Sequence, residues 1–269
     1  MNASTYVLAV GEQGKERLAI LNEVYGSTSY TLLKHAGIKS GQSILEIGCG
    51  SGNMTCWLAQ QVGHQGTVYA IDISDQQIAL AKQQTNGQGF NNVKFINLSI
   101  YDLNTLSEQF DIVYSRFVIT HLHEPLKAIE KLSQRLKPNG NLVLEEVSNA
   151  VYCCYPENPS YIRYRDLLVQ LLKVKKLDPY IGEKLYSYCL AIDIKPIFAK
   201  FLQPILLTKR EKRMLPLLIQ EIKPMLIKNN LAFEPEIDKL IEDLLAFIED
   251  DNYFFSMPRV TQIIGKKND

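Results

Sequence analysis

The sequence has few of the features that mark secreted, metal-binding or membrane proteins. Its five cysteines are an odd set without the spacing of a disulfide framework, which favours a reduced compartment. Neither a C-x-x-C nor an H-x-x-x-H spacing occurs, so no metal ligand set is expected. No stretch approaches the roughly 18 consecutive apolar residues that a membrane-spanning helix needs. We therefore predict a cytoplasmic protein without a metal site or a membrane span.

The chain also lacks an excess of charge of either sign. Lys and Arg together number 29, as do Asp and Glu, so the formal net charge is zero. A neutral chain lacks the basic field that attracts a phosphate backbone, and nucleic acid is therefore not an expected partner. Residues 1–18, MNASTYVLAVGEQGKERL, have no basic region before their short apolar run, so neither a signal peptide nor an anchor is predicted.

Short β-rich runs alternate with amphipathic stretches between residues 43 and 147. Strands are predicted at 43–47, 67–72, 93–97, 110–115 and 141–147, and helices at 53–62, 74–84 and 125–136. The second helix opens with an S-x-x-Q capping box, Ser74 to Gln77, and the third has Pro125 in its first turn. Such an alternation predicts right-handed βαβ units and a parallel sheet.

The regions on either side of this alternation are expected to be mainly helical. The predicted parts are a helical cap at 1–40, a core at 41–147, lid helices at 148–190 and a terminal region at 191–269. The terminal region holds two strands, 196–208 and 253–265, around a helical insertion at 209–250 that prolines interrupt. With 269 residues, of which 46% are hydrophobic, the chain is long enough to bury a core as a single domain.

The stretch LEIGCGSGNMT packs three glycines, Gly48, Gly50 and Gly52, directly after a predicted strand. A glycine-rich turn between a strand and a helix lets a ligand approach the backbone closely. The spacing is G-x-G-x-G, whereas dinucleotide sites carry G-x-G-x-x-G. Glu46 would repel a pyrophosphate and attract a cation. S-adenosylmethionine (SAM), a cation without phosphate, fits both features. Asp72, at the end of the next strand, suits ribose hydroxyls, a role shared by SAM and NAD sites.

Four motifs in order, LEIGCGSGNMT, VYAIDIS, FDIVYSRFVITHL and LKPNGNLVLEE, resemble those of class I SAM-dependent methyltransferases, in particular the bacterial small-molecule and quinone-biosynthesis-like members. The resemblance covers residues 30–147 and is looser elsewhere. It implies an α/β, Rossmann-like fold: a seven-stranded, mostly parallel sheet with helices on both faces, plus a helical N-terminal cap and helical insertions that form a lid. The order of the four motifs is specific, although no single motif is.

The resemblance also implies cofactor contacts, position by position. The implied cofactor-binding residues are Glu46, Gly48, Cys49, Gly50, Asp72, Ile73, Ser99, Ile100, Ser115 and Arg116. The glycine loop would hold the methionine part, and Asp72 the ribose. Ser99 stands where many members carry an aspartate bound to the adenine, so Ser99 or the backbone of Ile100 would take that contact. Tyr6 and Arg17 are expected to close over the cofactor.

In methyl transfer the protein mainly aligns the nucleophile and excludes water, because the methyl group on a sulfonium is already activated. Two residues are candidates for a catalytic role. His121, beyond the fourth strand, would act as a general base, with a histidine that has no catalytic task as the alternative. Glu146, at the end of the fifth strand, would contact the substrate, with a charge that faces solvent as the alternative.

The methyl acceptor is expected to be a small molecule, attacked at oxygen, carbon or nitrogen. The fourth strand lacks the N/D-P-P-Y/F sequence with which amino-methylating nucleic-acid enzymes grip a flipped base. Four lid tyrosines would supply aromatic walls: Tyr152, Tyr155, Tyr161 and Tyr164. The insertion at 209–250 is expected either to shape the pocket or to form a homodimer contact.

Two other functions remain open from the sequence. An NAD-dependent oxidoreductase would share the first half of the fold and Asp72, but it is disfavoured by Glu46 and by the glycine spacing. A non-catalytic SAM-binding or interaction module would keep the glycine loop without turnover, and the serine at position 99 leaves this reading open. NAD binding would identify the first alternative, and methylated product would exclude the second.

Overall fold

A computed structural model describes residues 8 and 10–267. The strands are β1 (Ser43–Ile47), β2 (Thr67–Asp72), β3 (Val93–Asn97), β4 (Phe110–Arg116), β5 (Leu136–Ser148), β6 (Cys154–Tyr155), β7 (Ile194–Leu202), β8 (Phe254–Phe255) and β9 (Arg259–Lys267). Seven of them form one sheet in the order β3-β2-β1-β4-β5-β9-β7. The first five strands of that order are parallel, and β9 is antiparallel to both of its neighbours. The predicted seven-stranded, mostly parallel sheet is therefore confirmed.

Helices cover both faces of this sheet. They are α1 (Glu12–His35), α2 (Asn53–Val62), α3 (Asp75–Gly87), α4 (Pro125–Ser133), α5 (Pro159–Val174), α6 (Leu185–Ala191), α7 (Lys209–Lys212), α8 (Met214–Lys228) and α9 (Glu234–Glu249). Apolar residues of α1, α2 and α3 pack on one face of the sheet, and those of α4 and α6 pack on the other. Because side chains alternate along a strand, each central strand contributes to both cores and is almost continuously apolar.

A third apolar cluster lies outside these two layers. It joins α5, α8 and α9 to α1, where Ile20 and Tyr25 are fully buried. The segment before β9 belongs to the same cluster through Phe255 and Val260. The helical regions at both ends of the sequence are thus packed into one layer, which holds α1 in place above the sheet.

The strand and helix boundaries agree with the sequence pattern where apolar runs are short and bounded by turns. The predicted bounds of β1, β2, β3 and α2 coincide with the observed ones. The predicted helix at 125–136 ends earlier, at Ser133, because Leu136 already pairs with Phe110 in the sheet. The turn sequence that follows is accommodated as an irregularity inside β5, with Asn139 in the left-handed region at φ 60°.

Prolines explain the other differences in boundaries. The strand predicted at 196–208 runs from Ile194 to Leu202 and ends before Pro204, and the one predicted at 253–265 is divided into β8 and β9 around Pro258. Pro224 was expected to interrupt the helical insertion but lies inside α8. The insertion is broken instead by the segment between α8 and α9.

Within the part of the chain that the structure describes, no helix combines the length and the apolar character that crossing a membrane requires.

Candidate functional site

A cavity of about 560 Å³ opens where β1, β2 and β4 end. Its walls include the last residues of these three strands, Ile47, Asp72 and Arg116, and the loops that follow them. Leu18 and Leu21 of α1 contribute apolar side chains from the opposite side. Ligands of open α/β sheets bind at this carboxyl edge, where neighbouring connections leave in opposite directions and form a crevice. The cavity is therefore the candidate functional site.

The loop needs glycine at two positions, because neighbouring segments leave no room there for a side chain. A Cβ atom on Gly48 would lie 2.3 Å from Cγ2 of Val118, in the loop after β4, and the backbone there is left-handed, with φ 73°. A Cβ atom on Gly52 would lie 2.9 Å from Cα of Ala81 in α3. The N–H groups of Gly48 and Cys49 donate to the carbonyl oxygen of Ile71, at 2.8 and 3.0 Å. These two donors are therefore already used by β2 and do not point to a ligand.

The carboxylate of Asp72 is held in a fixed orientation in the cavity wall. One oxygen, Oδ2, accepts the N–H of Gly50 at 3.0 Å, and Oδ1 accepts the N–H of Ser74 at 2.9 Å. Burial raises the pKa of Asp72 above its usual value, while these backbone hydrogen bonds lower it. Each carboxylate oxygen has a second lone pair, so the group can still accept hydrogen bonds from a ligand.

Glu46 is buried in the same cavity wall, at the end of β1. Its Oε2 accepts the hydroxyl of Thr55 in α2 at 2.6 Å. Burial raises the pKa of Glu46 to about 7, and the Thr55 hydroxyl and the nearby Arg116 guanidinium work in the opposite direction. A cationic ligand would favour the ionised form of this carboxyl and would in turn be attracted by it.

The loops after β2 and β3 form the opposite end of the cavity. Ile73, Ser99 and Ile100 line it there, and the cofactor contacts expected of them stay predictions. The hydroxyl of Ser99 accepts the N–H of Tyr101 at 3.2 Å and so caps the short 3₁₀ helix Ile100–Thr105. An aspartate at this position could form the same cap.

Gln77 lines the cavity, whereas the sequence predicted it as part of the capping box of α3. Only half of the predicted capping box forms: the N–H of Gln77 donates to Oγ of Ser74 at 3.3 Å, but the N–H of Ser74 is taken by Asp72. The side chain of Gln77 is 4% exposed, and its Oε1 has no hydrogen-bond partner among the described residues. A buried acceptor of this kind is typical of a position that a ligand completes.

The two predicted residues at the end of β4 point to different sides of the sheet. Arg116 lines the cavity, and its guanidinium donates to Ser29 Oγ and Asn22 Oδ1 of α1, both at 3.1 Å. Ser115 is fully buried and is not part of the cavity wall. Its side chain faces away from the cavity, because consecutive side chains in a strand face opposite ways and Arg116 already faces the cavity. The expected contact was through the backbone at this position, and it stays a prediction.

His121 lies in the cavity wall, on the short 3₁₀ helix Ile119–His121. Burial and the nearby Arg17 guanidinium lower the pKa of its imidazole to about 3. A base works best when its pKa is near the operating pH, so a group with this pKa accepts a proton poorly at neutral pH. The electrostatics favour the alternative for this histidine, a neutral side chain in the wall of the cavity.

This burial makes a prediction for pH-dependent stability. The unfolded chain takes up a proton on His121 below about pH 6.5, whereas the folded chain does so only near pH 3. The free energy of unfolding therefore falls as the pH falls between these two values. Between about pH 7.5 and pH 5 the wild type should lose about 2 kcal/mol more stability than His121→Asn. Urea unfolding at both pH values measures this difference. The exposed His123→Asn is the control, and an equal pH dependence in His121→Asn and wild type would contradict the burial of a neutral imidazole.

Glu146 does not have either of the positions expected for it. Its side chain is fully buried and does not line the cavity, so it neither contacts a substrate there nor faces solvent. Oε1 accepts the N–H groups of Val118 and Ile119 at 2.8 and 2.7 Å, and Oε2 accepts that of Thr120 at 3.3 Å. Burial raises its pKa to about 8, although these three donors lower it. Glu146 is a positioning residue for the loop that carries Val118 and His121.

The aromatic walls expected from the lid are also absent from the cavity. Tyr152, Tyr161 and Tyr164 pack in the cluster of α5, α8 and α9, and Tyr155 is 73% exposed. The hydroxyl of Tyr161 donates to the carbonyl oxygen of Ser256 at 2.6 Å, which fixes it in this cluster. Arg17 of α1 does lie in the cavity wall. Tyr6, which was predicted with it, lies outside the described residues.

Comparison of the sequence with models of known families identifies the class of protein to which this fold and cavity belong. Residues 38–193 match the family model described as a methyltransferase domain. This is more than half of the chain, and the chain therefore belongs to the methyltransferase domain family. The resemblance to class I SAM-dependent methyltransferases is thus confirmed at the level of the family.

Individual proteins agree with this assignment. The chain is 28% identical over 117 residues to a demethylmenaquinone methyltransferase of Staphylococcus saprophyticus, a match that covers 44% of the chain and 49% of that protein. It is 30% identical over 167 residues to an uncharacterized methyltransferase of Schizosaccharomyces pombe, covering 59% of the chain and 58% of that protein. The chain thus spans about half the length of these relatives. The mycolic acid cyclopropane synthase CmaA1, solved with SAH and CTAB, has the same fold: its TM-score is 0.64 at 14% identity, with 99% of both chains covered.

Proposed function

We propose that the protein binds SAM and transfers its methyl group to a small-molecule acceptor by in-line displacement. The observation that carries this proposal is the pair of acids, the buried Glu46 and the partly buried Asp72, in one cavity beside a glycine loop. Asp72 suits the ribose of either cofactor, and Glu46 favours a cationic nucleoside over a dinucleotide phosphate. The N–H groups of Gly48 and Cys49 are used within the fold, which further disfavours a pyrophosphate in this loop.

The residues present fit SAM at each end of the cavity. Asp72 would accept the ribose hydroxyls, and Ile73, Ser99 and Ile100 would lie against the adenine, which is supported by their presence in one cavity wall. Glu46 supplies the negative charge that a sulfonium and an ammonium require. When bound, SAM supplies a methyl group already activated by the positive sulfur. The family match and the SAH complex of CmaA1 support the same cofactor.

The contribution of the chain to the transfer is alignment and exclusion of water. Apolar side chains in the cavity wall, from Leu18, Leu21, Val118 and Leu122, would exclude water from the bound acceptor. A fixed nucleophile close to the reacting carbon accounts for most of the rate when the electrophile is preactivated. With a pKa near 3, the imidazole of His121 is not expected to take a proton from the acceptor.

The acceptor itself is proposed only by class. The similarity to the demethylmenaquinone methyltransferase of S. saprophyticus makes a quinol one compound to test, and attack at carbon, oxygen or nitrogen stays open. A homodimer and a cytoplasmic location stay predictions from the sequence.

Calorimetry with S-adenosylhomocysteine (SAH), SAM and NAD tests the proposal directly. Micromolar binding of SAH and SAM without NAD binding supports it, and NAD binding alone would identify an oxidoreductase. Transfer of tritiated methyl from SAM to a panel of quinols, phenols and amines then separates an enzyme from a non-catalytic SAM-binding module. Failure to bind SAH at millimolar concentration would contradict the proposal.

Gln77 gives a second test of how the cofactor end of the cavity works. Gln77→Met keeps the size of the side chain but removes its buried Oε1 acceptor. If a ligand donor completes this acceptor, SAH should bind about three- to tenfold more weakly, the value of one neutral hydrogen bond. The control is Gln88→Met, an exposed glutamine that follows α3. Equal SAH affinity in Gln77→Met and wild type would remove Gln77 from the site.

A further inference from the structure

Arg17 places a buried positive charge in the cavity wall. It lies on α1 and is 4% exposed. Its Nε donates to both carboxylate oxygens of Glu221 in α8, at 2.9 and 2.8 Å, and the side chain of Glu221 is only 7% exposed. The ion pair joins two helices across the third apolar cluster, and it fixes the direction in which the rest of the guanidinium points.

One nitrogen of this guanidinium is left without a partner. Nη2 of Arg17 is buried and has no hydrogen-bond partner among the described residues. A buried charged donor without an acceptor is costly, and the Glu221 carboxylate bonds the guanidinium only through Nε. Arg17 is also part of the cavity wall, so an acceptor atom of a bound ligand that reaches Nη2 would satisfy it.

The position of Arg17 separates it from the acids of the cofactor end. Burial and the charge of Arg17 both lower the pKa of His121, beyond β4. Burial raises the pKa of Tyr164 in α5, and the charge of Arg17 opposes this rise. The arginine that lowers the pKa of Glu46 is Arg116 instead. Arg17 and His121 both belong to the cavity wall, and we assign Arg17 to the side of the loop that holds His121, where the acceptor is proposed to bind.

We propose that the methyl acceptor is an acid, and that Nη2 of Arg17 binds its anionic oxygen. This rests on the proposed function and adds the substrate class: a mainly apolar small molecule with a carboxylate or an equally acidic oxygen. The apolar wall binds the body of this molecule, and the Glu221 tether keeps the guanidinium oriented for one charge-assisted hydrogen bond. A neutral acceptor of the same shape leaves Nη2 unpartnered and binds more weakly.

The test compares an acid with its isosteric amide. Calorimetry on SAH-saturated protein measures the affinity of 3-phenylpropanoate and of 3-phenylpropanamide. The wild type should bind the acid about tenfold more tightly, the value of one charge-assisted hydrogen bond. The double variant Arg17→Met/Glu221→Met replaces the buried ion pair with apolar side chains of similar length, an exchange that is often tolerated. In it the preference for the acid should disappear.

Glu221→Gln is the matched control, because it removes the partner charge and keeps Arg17. It should keep the preference for the acid or increase it. A wild type that binds neither probe, or both equally, overturns the proposal, as does a preference that persists in the double variant. If the double variant weakens SAH but not 5′-methylthioadenosine, which lacks the amino-acid part, the anion is the cofactor's own carboxylate and the acceptor assignment is overturned.

Failure of the proposed function gives a different result from failure of this inference. If SAH does not bind, the SAM proposal fails, and the two probes are then titrated into the unliganded protein. The comparison of acid and amide still decides whether Arg17 binds an anion in the cavity.

Discussion

Asp72→Ala is expected to weaken SAH binding by about 100-fold or more, the largest effect on ligand binding of any single substitution in the cavity. A carboxylate that accepts two ribose hydroxyls makes two hydrogen bonds to a charged group, each worth about 1.5–3 kcal/mol. Together they amount to about 3 kcal/mol or more, or at least about 100-fold in affinity. The substitution also releases the N–H groups of Gly50 and Ser74, which loosens the glycine loop and the start of α3.

Calorimetry with SAH on purified variants measures this loss. Asp102→Ala is the control, since Asp102 is exposed, lies on the neighbouring loop and is not part of the cavity wall. Asp72→Asn keeps one acceptor oxygen and should fall between Asp72→Ala and the wild type. An Asp72→Ala variant that melts like the wild type and binds SAH within a few-fold of it would show that the carboxylate only braces the loop.

The sequence was a good guide to this end of the molecule because the information there is local. Short apolar runs bounded by turn residues give β1, β2 and β3 their bounds, and parallel strands bring their carboxyl ends together by topology alone. Glu46 and Asp72 could therefore be placed in one site from their positions at strand ends. The glycines of the loop follow from the same argument, although their immediate cause is packing against Val118 and Ala81.

The residues that could not be predicted depend on contacts between distant segments. Arg17 meets Glu221 204 positions away, and nothing in either local sequence indicates the pair. Gln77 was read as a cap because the S-x-x-Q pattern is local, but Asp72 takes the donor that the cap would have used. The lid tyrosines suit an aromatic pocket as well as an apolar core, and only the packing of α5 against α8 and α9 decides between them.

Glu146 shows the same limit in a residue that the sequence placed near the chemistry. It lies near the end of β5 as predicted, but its side chain is buried and accepts hydrogen bonds from three consecutive N–H groups of the loop after β4. These donors are buried or partly buried, and the 3₁₀ turn leaves them without other partners. The carboxyl therefore organises the loop that places Val118 against Gly48 and His121 in the cavity wall.

Glu146→Ala should accordingly reduce the free energy of unfolding by about 3 kcal/mol or more. Each of the three N–H groups left unsatisfied costs about 1–3 kcal/mol, and solvent entering the loop recovers part of this. Glu146→Gln keeps an amide oxygen where Oε1 accepts two of the three donors, so it should lose only about 1 kcal/mol. Chemical unfolding of both variants measures the difference, with the exposed Glu124→Ala on the same connection as a control that should change little.

The Gln variant also separates positioning from catalysis. A glutamate that contacted the substrate would make Glu146→Gln as stable as the wild type but impaired in methyl transfer. A positioning glutamate gives the opposite pattern, in which methyl transfer by Glu146→Gln remains close to normal, while Glu146→Ala loses stability and SAH affinity together. The second pattern is expected, because the carboxyl does not reach the cavity and the loop that it holds does. Wild-type stability in Glu146→Ala would show that the three N–H groups find other partners.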